Sequence, residues 1–409
     1  MNSISVSLFQ RILKATHYRI NIFYTFIKIR RKISHIQIIL KHQFGLKEKE
    51  NDNNKHLVNC INWLCRAQDE SRSGGVSGGY SLEKSWFPLY PETTGYIIPT
   101  FIKYSEFTKD AQFLNRAIQM ADWEIDIQLA NGAIRGGIGI SEYPIVFNTG
   151  QVILGWVSIY EKTNIQKYLS AAIKAADWLL SVQDEDGCWR KFTYMNIVHS
   201  YNSRVAWSLL KVYEHSYNEI YKNSALKNIK WALSRVEENG WIQNMSFFSD
   251  DQPFTHTIAY TLRGLHESSY YFDNELKEQI QNIVFNALVN ITKSFRKNNK
   301  NSLFIPAKYN NQWQGVENHY SCLTGNAQLG ILFHKYYPIF NDQRFSYIYQ
   351  EILESLKTVQ NLSIKNTGIQ GGIPGSYPIW GKYMKYIYPN WAVKFFADLL
   401  LLELTSETK

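Results

Sequence analysis

The strongest constraint on the fold is a phrase that recurs along the chain. It is an amphipathic helix that ends in W-x-x-x-x-Q and is followed by an acidic or Asn residue and by Gly. Three copies are plain, and they run from Trp63 to Gln68, from Trp123 to Gln128 and from Trp178 to Gln183. A fourth copy keeps Trp231 without the Gln, a fifth near residues 277–293 is degenerate, and a sixth keeps Gln360. Self-similarity at a regular period predicts a repeat architecture.

A second kind of helix follows each copy after a loop, and beyond a short polar opening it is almost wholly apolar. The openings centre on Thr94, Thr149, Ser203, His256, Thr324 and Asn390, which are 55, 54, 53, 68 and 66 residues apart. Such side chains can accept hydrogen bonds from the unpaired N–H groups of a first helical turn, so we expect them to cap these helices. Six amphipathic outer helices and six buried inner helices predict an all-α fold, an (α/α)6 toroid whose inner N-termini share one mouth.

The net charge of +9 is concentrated in one segment. Residues 1–47 hold nine Lys and Arg and no acidic residue, whereas the remainder carries 35 basic and 35 acidic residues. A neutral body offers no basic groove for a phosphate backbone, so we expect no nucleic-acid partner. The charge division predicts a basic amphipathic N-terminal extension over residues 1–50 and a toroid domain over residues 51–409.

The extension has two main interpretations. It could lie on an anionic membrane surface, which would give the protein peripheral contact with the inner membrane through residues 1–47, or it could pack across the toroid as an extra helix. An organelle transit peptide is a third option. The extension has no apolar run long enough to span a membrane and no secretory signal pattern, so we expect a cytoplasmic protein. The four cysteines of the whole chain lack the spacing of a metal site, so we expect no metal and no cofactor.

The repeat phrases resemble the six-hairpin alpha/alpha toroid superfamily, which includes glycoside hydrolases, polysaccharide lyases, sugar epimerases and, more distantly, terpene cyclase toroids. The phrases at residues 75–80, 90–96 and 255–260 are similar to a poorly characterised bacterial family found with surface-polysaccharide genes. Some of its members carry an automatic delta-aminolevulinic acid dehydratase name. The chain lacks the strand alternation that such a dehydratase is built on. The resemblance implies a carbohydrate-active enzyme acting on an oligo- or polysaccharide.

The candidate site residues lie mostly in the loops that precede the inner helices, where a toroid would bring them to one mouth. The candidate catalytic residues are His199, Tyr201, His256, Glu317, His319 and Tyr320. The candidate substrate-binding residues are Tyr80, Trp86, Glu92, Arg135, Asn148, Asn202, Arg204, Asp250, Asp251, Trp313, Asn318, Tyr377, Trp380 and Asn390. Aromatic rings beside carboxylates and amides are typical of a sugar site.

These residue types favour a polysaccharide lyase or uronyl C5-epimerase acting on an acidic glycan, and they leave two alternatives open. A lyase or uronyl C5-epimerase needs a His or Tyr base and an Asn or Arg that neutralises the substrate carboxylate. A glycoside hydrolase needs two carboxyl groups about the scissile bond, for which Glu92, Asp250, Asp251 and Glu317 are available. The third possibility is a toroid that binds a glycan without chemistry. A terpene cyclase is disfavoured because the segment from Ser249 to Gln252 does not supply the acidic motif that protonates an alkene.

Overall fold

A computed structural model describes residues 32–48, 52–139, 141–295 and 305–406 of the chain. The outer ring consists of α2 (Asn53–Asp69), α4 (Ala111–Ile127), α6 (Gln166–Ser181), α8 (Glu219–Leu233), α10 (Asn274–Lys293) and α12 (Gln343–Val359). The inner ring consists of α3 (Pro91–Thr108), α5 (Val146–Thr163), α7 (Ser203–Ser216), α9 (Thr255–Ser269), α11 (Leu323–Phe340) and α13 (Asn390–Ser406). An additional helix, α1 (Ile33–Gln43), precedes both rings.

The two rings close on themselves, so the protein is an (α/α)6 toroid as the sequence predicts. Each inner helix packs against the next one along the chain, and α13 packs against both α3 and α2. Four inner helices end at a left-handed residue, namely Lys109, Asn164, Tyr217 and Asn341, and a short link then leads into the outer helix. The longer loops therefore lie at the opposite end, beside the N-termini of the inner helices.

The recurring Gln clamps neighbouring outer helices together. Gln128 donates from its Nε2 to the carbonyl oxygen of Gly132 at 2.8 Å and to that of Ala171 on the next outer helix at 3.1 Å. The equivalent Gln183 reaches Gly187 and Ser224 at 2.9 and 3.2 Å. Gly132 has φ +96°, and a Cβ there would lie 2.2 Å from a carbonyl oxygen of α6, so only Gly fits.

The same clamp closes the ring. Gln360 is fully buried, and its Nε2 donates to Gly371 O at 2.8 Å and to His56 O of α2 at 3.3 Å. Because α2 belongs to the first repeat and Gln360 follows the last outer helix, this side chain joins the two ends of the repeat array. Gln68 of the first repeat continues the series by bonding Gly74 and Arg116 of α4.

The expected capping role of the inner-helix openings is wrong in detail. The N-cap residues of α3, α5, α7, α9 and α11 make no side-chain cap hydrogen bond. Instead, Thr94 accepts from Val76 N at 2.9 Å and Thr149 accepts from Ile134 N at 3.0 Å, and both hydroxyls donate to the carbonyl four residues earlier. These residues therefore hold the preceding loop against the first turn of the inner helix.

Short strands stiffen the loops at the mouth. The strand β1 (Gly79–Ser81) pairs antiparallel with β2 (Ser85–Trp86) and with β7 (Ile387–Pro389), which links the first and last repeats. Two further antiparallel pairs are β3 (Lys308–Tyr309) with β4 (Gly315–Val316), and β5 (Ser321–Cys322) with β6 (Ser376–Tyr377). The mouth is thus a structured surface that can hold side chains in fixed positions.

The described part of the N-terminal extension packs across the toroid, in line with the second interpretation of that segment. Helix α1 buries His35, Ile38, Ile39 and His42. The Nδ1 atom of His42 accepts a hydrogen bond from the backbone N–H of Ile379 at 2.9 Å. Residues 1–31, on which most of the expected membrane contact falls, lie outside the described residues. Within the described chain, no helix combines the length and the apolarity needed to cross a membrane.

Breaking the closing clamp should destabilise the whole ring. We expect Gln360→Leu to lower the free energy of unfolding by about 1–3 kcal/mol, because buried carbonyl groups of Gly371 and His56 lose their donor. Urea denaturation followed by circular dichroism measures this change. Gln279→Leu, at an exposed position of α10, is the matched control and should change stability by less than about 0.5 kcal/mol. Equal effects in the two variants would contradict the clamp.

Glu124 on α4 provides a second stability test. It is fully buried, neither carboxyl oxygen has a hydrogen-bond partner, and burial raises its pKa well above the ordinary value. The corresponding residues after the repeat Trp are Leu64, Leu179 and Ala232. We expect Glu124→Leu to increase the free energy of unfolding by about 1–3 kcal/mol at neutral pH.

The pH dependence distinguishes this cause from simple packing. A folded-state pKa above the unfolded value means that the unfolded chain loses its proton first as pH rises, so Glu124 costs more stability at high pH. The gain from Glu124→Leu should therefore be larger at pH 8 than at pH 4. The exposed Asp126→Leu on the same helix is the control and should show no such gain. A gain in Glu124→Leu that does not change with pH would rule out the titration argument.

Candidate active site

The inner helices bring six polar side chains together at the mouth, and we call these the central cluster: Tyr90, Glu92, Tyr201, Arg204, His256 and Tyr260. Glu92 and Arg204 lie in the first turns of α3 and α7, and His256 begins α9 one turn before Tyr260. Burial raises the pKa of Tyr201 and Tyr260 and lowers that of His256, and the charge of Glu92 adds to the first two shifts while that of Arg204 adds to the third. These residues lie at or near the points where the loops of the mouth lead into the inner helices.

Glu92 is the carboxyl group of this cluster. Tyr90 donates a hydrogen bond to its carboxylate. Burial raises the pKa of Glu92, whereas the Tyr90 hydrogen bond and the charge of Arg204 lower it, and the balance leaves the pKa at about 7. A carboxyl group with this pKa can both accept and release a proton at neutral pH.

Arg204 supplies a buried positive charge. It is 4% exposed, its Nε donates to Gln151 Oε1 at 2.9 Å, and its guanidinium lies 5.0 Å from the centre of the Tyr260 ring. Among the described residues, no carboxylate forms an ion pair with it, although Glu92 and Glu267 interact with it electrostatically. Burying a cation without a carboxylate partner is costly, so the arrangement favours a site that receives an anionic group from a ligand.

His256 is a neutral hydrogen-bond donor in this arrangement. The Nε2 atom of Gln328 donates to His256 Nδ1 at 2.7 Å, which leaves the ring proton on Nε2 of the histidine. Burial, and then the charge of Arg204, lower the pKa of His256 to about 3. The imidazole is therefore uncharged at physiological pH, and its N–H can stabilise a developing oxyanion.

Aromatic rings surround the central cluster. The ring of Tyr260 lies 4.3 Å from His256 and 5.0 Å from Phe147, measured between centroids. Tyr383 lies 5.5 Å from His256, and its hydroxyl accepts from Trp391 Nε1 at 2.9 Å. This shell lowers the local dielectric and strengthens each charge interaction inside it.

A second group of predicted residues forms an ion network at the rim. Lys308 donates from Nζ to both carboxylate oxygens of Asp251 at 2.7 Å. Glu317 pairs with Lys382 and accepts from the Tyr320 hydroxyl at 2.6 Å. Burial raises the pKa of Glu317, but Lys382 and Tyr320 outweigh it and hold that pKa below its ordinary value. Asp250, Asn318 and His319, predicted for the same site, are exposed on this rim.

Four predicted sugar-binding aromatics lie beneath α1 instead of in the central cluster. The Tyr80 hydroxyl lies 3.0 Å from His35 Nε2, and the Tyr80 ring packs edge-on against Trp86 at 5.4 Å. His42 packs against Tyr377 at 4.8 Å and Trp380 at 6.4 Å. Tyr80, Tyr377 and Trp380 therefore contact the extension directly, whereas Trp86 packs behind Tyr80.

Two other predicted residues hold loops in place. Arg135 donates from Nε to the carbonyl of Ile127 at the end of α4, at 2.9 Å. Trp313 is 6% exposed, donates from Nε1 to the Asn239 carbonyl at 3.2 Å, and packs edge-on against Trp241 at 4.9 Å. Neither side chain lies in the central cluster.

The predicted asparagines divide into two kinds. Asn148 donates to the Arg135 carbonyl at 3.3 Å, and Asn390 donates to the Ser77 carbonyl at 2.8 Å, so both tie mouth loops to inner helices. Asn202 is 2% exposed, and neither its amide oxygen nor its amide nitrogen has a hydrogen-bond partner in the described chain. It stands beside Tyr201 at the start of α7.

His199 joins two mouth loops. Its Nε2 lies 2.8 Å from the Tyr194 carbonyl oxygen and its Nδ1 lies 3.0 Å from the Ser246 carbonyl oxygen, while its ring stacks on Tyr201 at 4.4 Å. Burial lowers the pKa of His199, and the two carbonyl groups only partly offset that effect. A neutral imidazole can donate to only one of these carbonyl groups, and its stacking on Tyr201 places it to orient that ring.

Sequence reasoning missed several members of the site. Tyr90, Tyr260 and Tyr383 complete the aromatic surroundings, and Gln151 and Gln328 orient Arg204 and His256. The available signal was the occurrence of Gln within inner helices that are otherwise apolar. A polar side chain at such a buried position must be satisfied by a partner, and the partner here is a site residue.

Two sets of side chains in the described chain have metal-ligand proximity, and both already hold a basic residue. Glu161 and Glu214 bind Lys211, and Asp184 and Asp186 bind Arg190. The central cluster is in neither set. These ion pairs account for both groups as surface charge networks.

Comparison with known proteins places this fold among the toroids. The family model described as the squalene-hopene cyclase C-terminal domain matches residues 88–266, which is less than half of the chain. A search of the curated proteins finds no significant match. The match to the cyclase family model agrees with the resemblance of the repeats to terpene cyclase toroids.

Solved structures extend the likeness to nearly the whole toroid. A sugar epimerase from a ruminal bacterium has 12% sequence identity and a TM-score of 0.68 over 87% of this chain and 98% of that chain. An unsaturated glucuronyl hydrolase specific for heparin has 13% identity and a TM-score of 0.67 over 87% and 98%. The cellobiose 2-epimerase from Bacillus thermoamylovorans has 14% identity and a TM-score of 0.62 over 86% and 99%. At these identities the likeness establishes the (α/α)6 toroid fold.

The titration of Glu92 tests the electrostatics of the site without any assumption about substrate. We expect a carboxyl pKa of about 7 for Glu92, to be measured by carbon-13 NMR with labelled glutamate and assigned through Glu92→Gln. Tyr90→Phe and Arg204→Met should each raise that pKa further, because each removes an interaction that favours the carboxylate. Glu106→Gln, at the exposed far end of α3, should leave the signal unchanged. A Glu92 signal titrating near 4.5 would contradict the arrangement.

Proposed function

We propose that the protein is a carbohydrate-active enzyme that removes the C5 proton of a uronic acid residue in an acidic glycan, as a uronyl C5-epimerase or a polysaccharide lyase. The observation that carries this proposal is the pair of Glu92, with a pKa of about 7, and Arg204, a buried cation without a carboxylate partner. A base near neutral pH and a receptor for the substrate carboxylate are the two requirements of this reaction.

The reaction assigns one role to each group. Arg204 binds the substrate carboxylate and, together with the Nε2–H of His256, stabilises the negative charge that develops there. The Glu92 carboxylate takes the C5 proton, and the C–H electron pair moves into the enolate. In an epimerase, Tyr201 returns a proton to the opposite face of C5. In a lyase, the enolate re-forms the carboxylate, a C4–C5 double bond forms and the C4–O bond breaks, and the leaving oxygen takes a proton from the Tyr201 hydroxyl.

Hydrolysis by a carboxylate pair is the second candidate, and it is favoured by the fold shared with a glucuronyl hydrolase. Two rim carboxylates that could partner Glu92 are already engaged. Asp251 is held by Lys308, and Glu317 is held by Lys382 with its pKa lowered. Glu92 with its raised pKa could act as the general acid, but the second carboxylate would have to activate water or attack the sugar while it is bound to lysine, which argues against this route.

Two further candidates have weaker support. Terpene cyclisation agrees with the matched family model and with the aromatic shell, but the positive charge of Arg204 would repel a carbocation intermediate. A glycan-binding toroid without chemistry would not need a carboxyl group with a pKa near 7. The sequence resemblance supports a role in the production of a bacterial surface polysaccharide, with the enzyme in the cytoplasm or against the inner membrane.

Solvent isotope exchange tests the proposal. Wild-type protein incubated in D2O with oligosaccharides of glucuronic acid and N-acetylglucosamine should incorporate deuterium at C5, detected by mass spectrometry and NMR. The rate should rise with pH through about 7, since the Glu92 carboxylate is the active form. Glu92→Gln should abolish exchange, and Arg204→Met should weaken binding by about 10- to 100-fold.

Matched variants separate chemistry from folding. Glu106→Gln and Arg344→Met alter exposed groups away from the mouth and should keep full exchange. A lyase would also produce the ultraviolet absorbance of a conjugated unsaturated uronide, and a hydrolase would yield products heavier by one water without exchange at C5. Full exchange in Glu92→Gln, or hydrolysis products alone, would refute proton abstraction by Glu92.

A further inference from the structure

A second aromatic surface lies outside the central cluster, on the loops that precede α7 and α9. Tyr194 is 45% exposed, Phe248 is 44% exposed and Met195 is 59% exposed. The ring centres of Tyr194 and Phe248 are 5.9 Å apart. Large apolar side chains exposed as a group, and not singly, mark an interaction site.

A cleft of about 320 Å³ lies beside Phe248. Its polar lining includes Asn244, Ser246, Gln252 and Asn311. A volume of this size is at the lower end of small-molecule sites, and amide and hydroxyl groups beside an aromatic ring suit the hydroxyl groups and the apolar face of a sugar. We call this cleft, with Tyr194 and Phe248, the outer cleft.

One aromatic ring, Phe247, lies between the outer cleft and the central cluster. Phe247 lies 6.2 Å from His256 and 6.0 Å from Tyr201 on its inner side, measured between centroids. On its outer side it lies 5.6 Å from Tyr194. The outer cleft and the central cluster are therefore neighbours on the mouth, separated by a single aromatic ring.

The backbone of the outer cleft is held in costly conformations. Phe192, Met195, Asn196 and Asn244 have φ values of +57°, +57°, +52° and +62°. Left-handed backbone in residues other than glycine persists where the surroundings fix it, and it concentrates at functional sites. His199 supplies the fixing contact here, because its ring nitrogens lie against the carbonyl groups of both loops.

The charge of the outer cleft selects a neutral ligand. Within the described residues, its lining includes one carboxylate, Asp251, and no Lys or Arg. Asp251 is already bound by Lys308, and the adjacent Asp250 is exposed. A second acidic sugar would meet no cation here, whereas a neutral ring would lose nothing.

We infer that Tyr194 and Phe248 form an outer subsite that stacks a neutral sugar ring next to the acidic sugar bound by Arg204. The substrate is then an oligosaccharide or polymer in which a neutral residue neighbours the acidic residue. This inference rests on the proposed function for the identity of the inner sugar, but binding at the outer subsite can be measured without turnover.

Calorimetric titration with two ligands tests the subsite. The ligands are a disaccharide and a hexasaccharide of alternating glucuronic acid and N-acetylglucosamine. Tyr194→Ala and Phe248→Ala should each weaken hexasaccharide binding by about 3- to 10-fold, because each removes one stacking surface. Binding of a disaccharide seated at Arg204 should change less than about twofold. Tyr217→Ala removes an aromatic ring that is 81% exposed at the opposite end of the toroid, and it should change neither affinity.

The outcomes separate this inference from the proposed function. Length-dependent loss in both variants supports the outer subsite, whether or not the wild type exchanges the C5 proton. Equal affinities for the hexasaccharide in wild type, Tyr194→Ala and Phe248→Ala would overturn it, even if exchange at C5 is observed. Loss of affinity for both lengths in equal measure would also overturn it, since the residues would then act on the central site.

Discussion

The hydrogen bonds of the repeat glutamines hold the ring together, and the site depends on that ring. Each Gln satisfies the carbonyl of its own Gly turn and a carbonyl of the neighbouring outer helix, so one side chain fixes the distance between repeats. Gln360 applies the same contact between the last repeat and the first. A closed ring fixes the spacing of the inner N-termini, and the mouth residues acquire their positions from that spacing.

The rigid mouth holds buried ionisable groups that would destabilise an ordinary hydrophobic core. Arg204 is buried against Tyr260 and Gln151 without a carboxylate, and Glu92 keeps a pKa of about 7 in spite of that nearby cation. Both groups carry an energetic cost in the folded protein. Glu124 carries a similar cost in the outer ring, where no site residue accompanies it. The difference is that the groups at the mouth are oriented by partners and converge on one point.

The sequence predicts the ring well because its determinants are local. In the first three repeats the Gln bonds its own Gly turn and one neighbouring outer helix, so the period of about 54 residues between the first four openings indicates the architecture. The roles of Thr94 and Thr149 were mispredicted because their acceptor function is used by a loop N–H that becomes close only in the folded ring.

The site is predicted less completely, for a physical reason. Glu92, Tyr201, Arg204 and His256 stand at the starts of inner helices, where the repeat places them at the mouth. Burial then decides their protonation, and burial comes from Tyr260, Phe147 and other rings on helices far apart in sequence. The helix α1 covers Tyr80 and Tyr377, a contact that a charge count of the extension does not reveal.

The most direct measurement is a crystal structure of the Glu92→Gln variant with an oligosaccharide of glucuronic acid and N-acetylglucosamine. The account predicts a sugar carboxylate within hydrogen-bonding distance of the Arg204 guanidinium, with C5 facing the side chain at position 92. A sugar bound with its carboxylate away from Arg204, or with C5 turned from position 92, would contradict it.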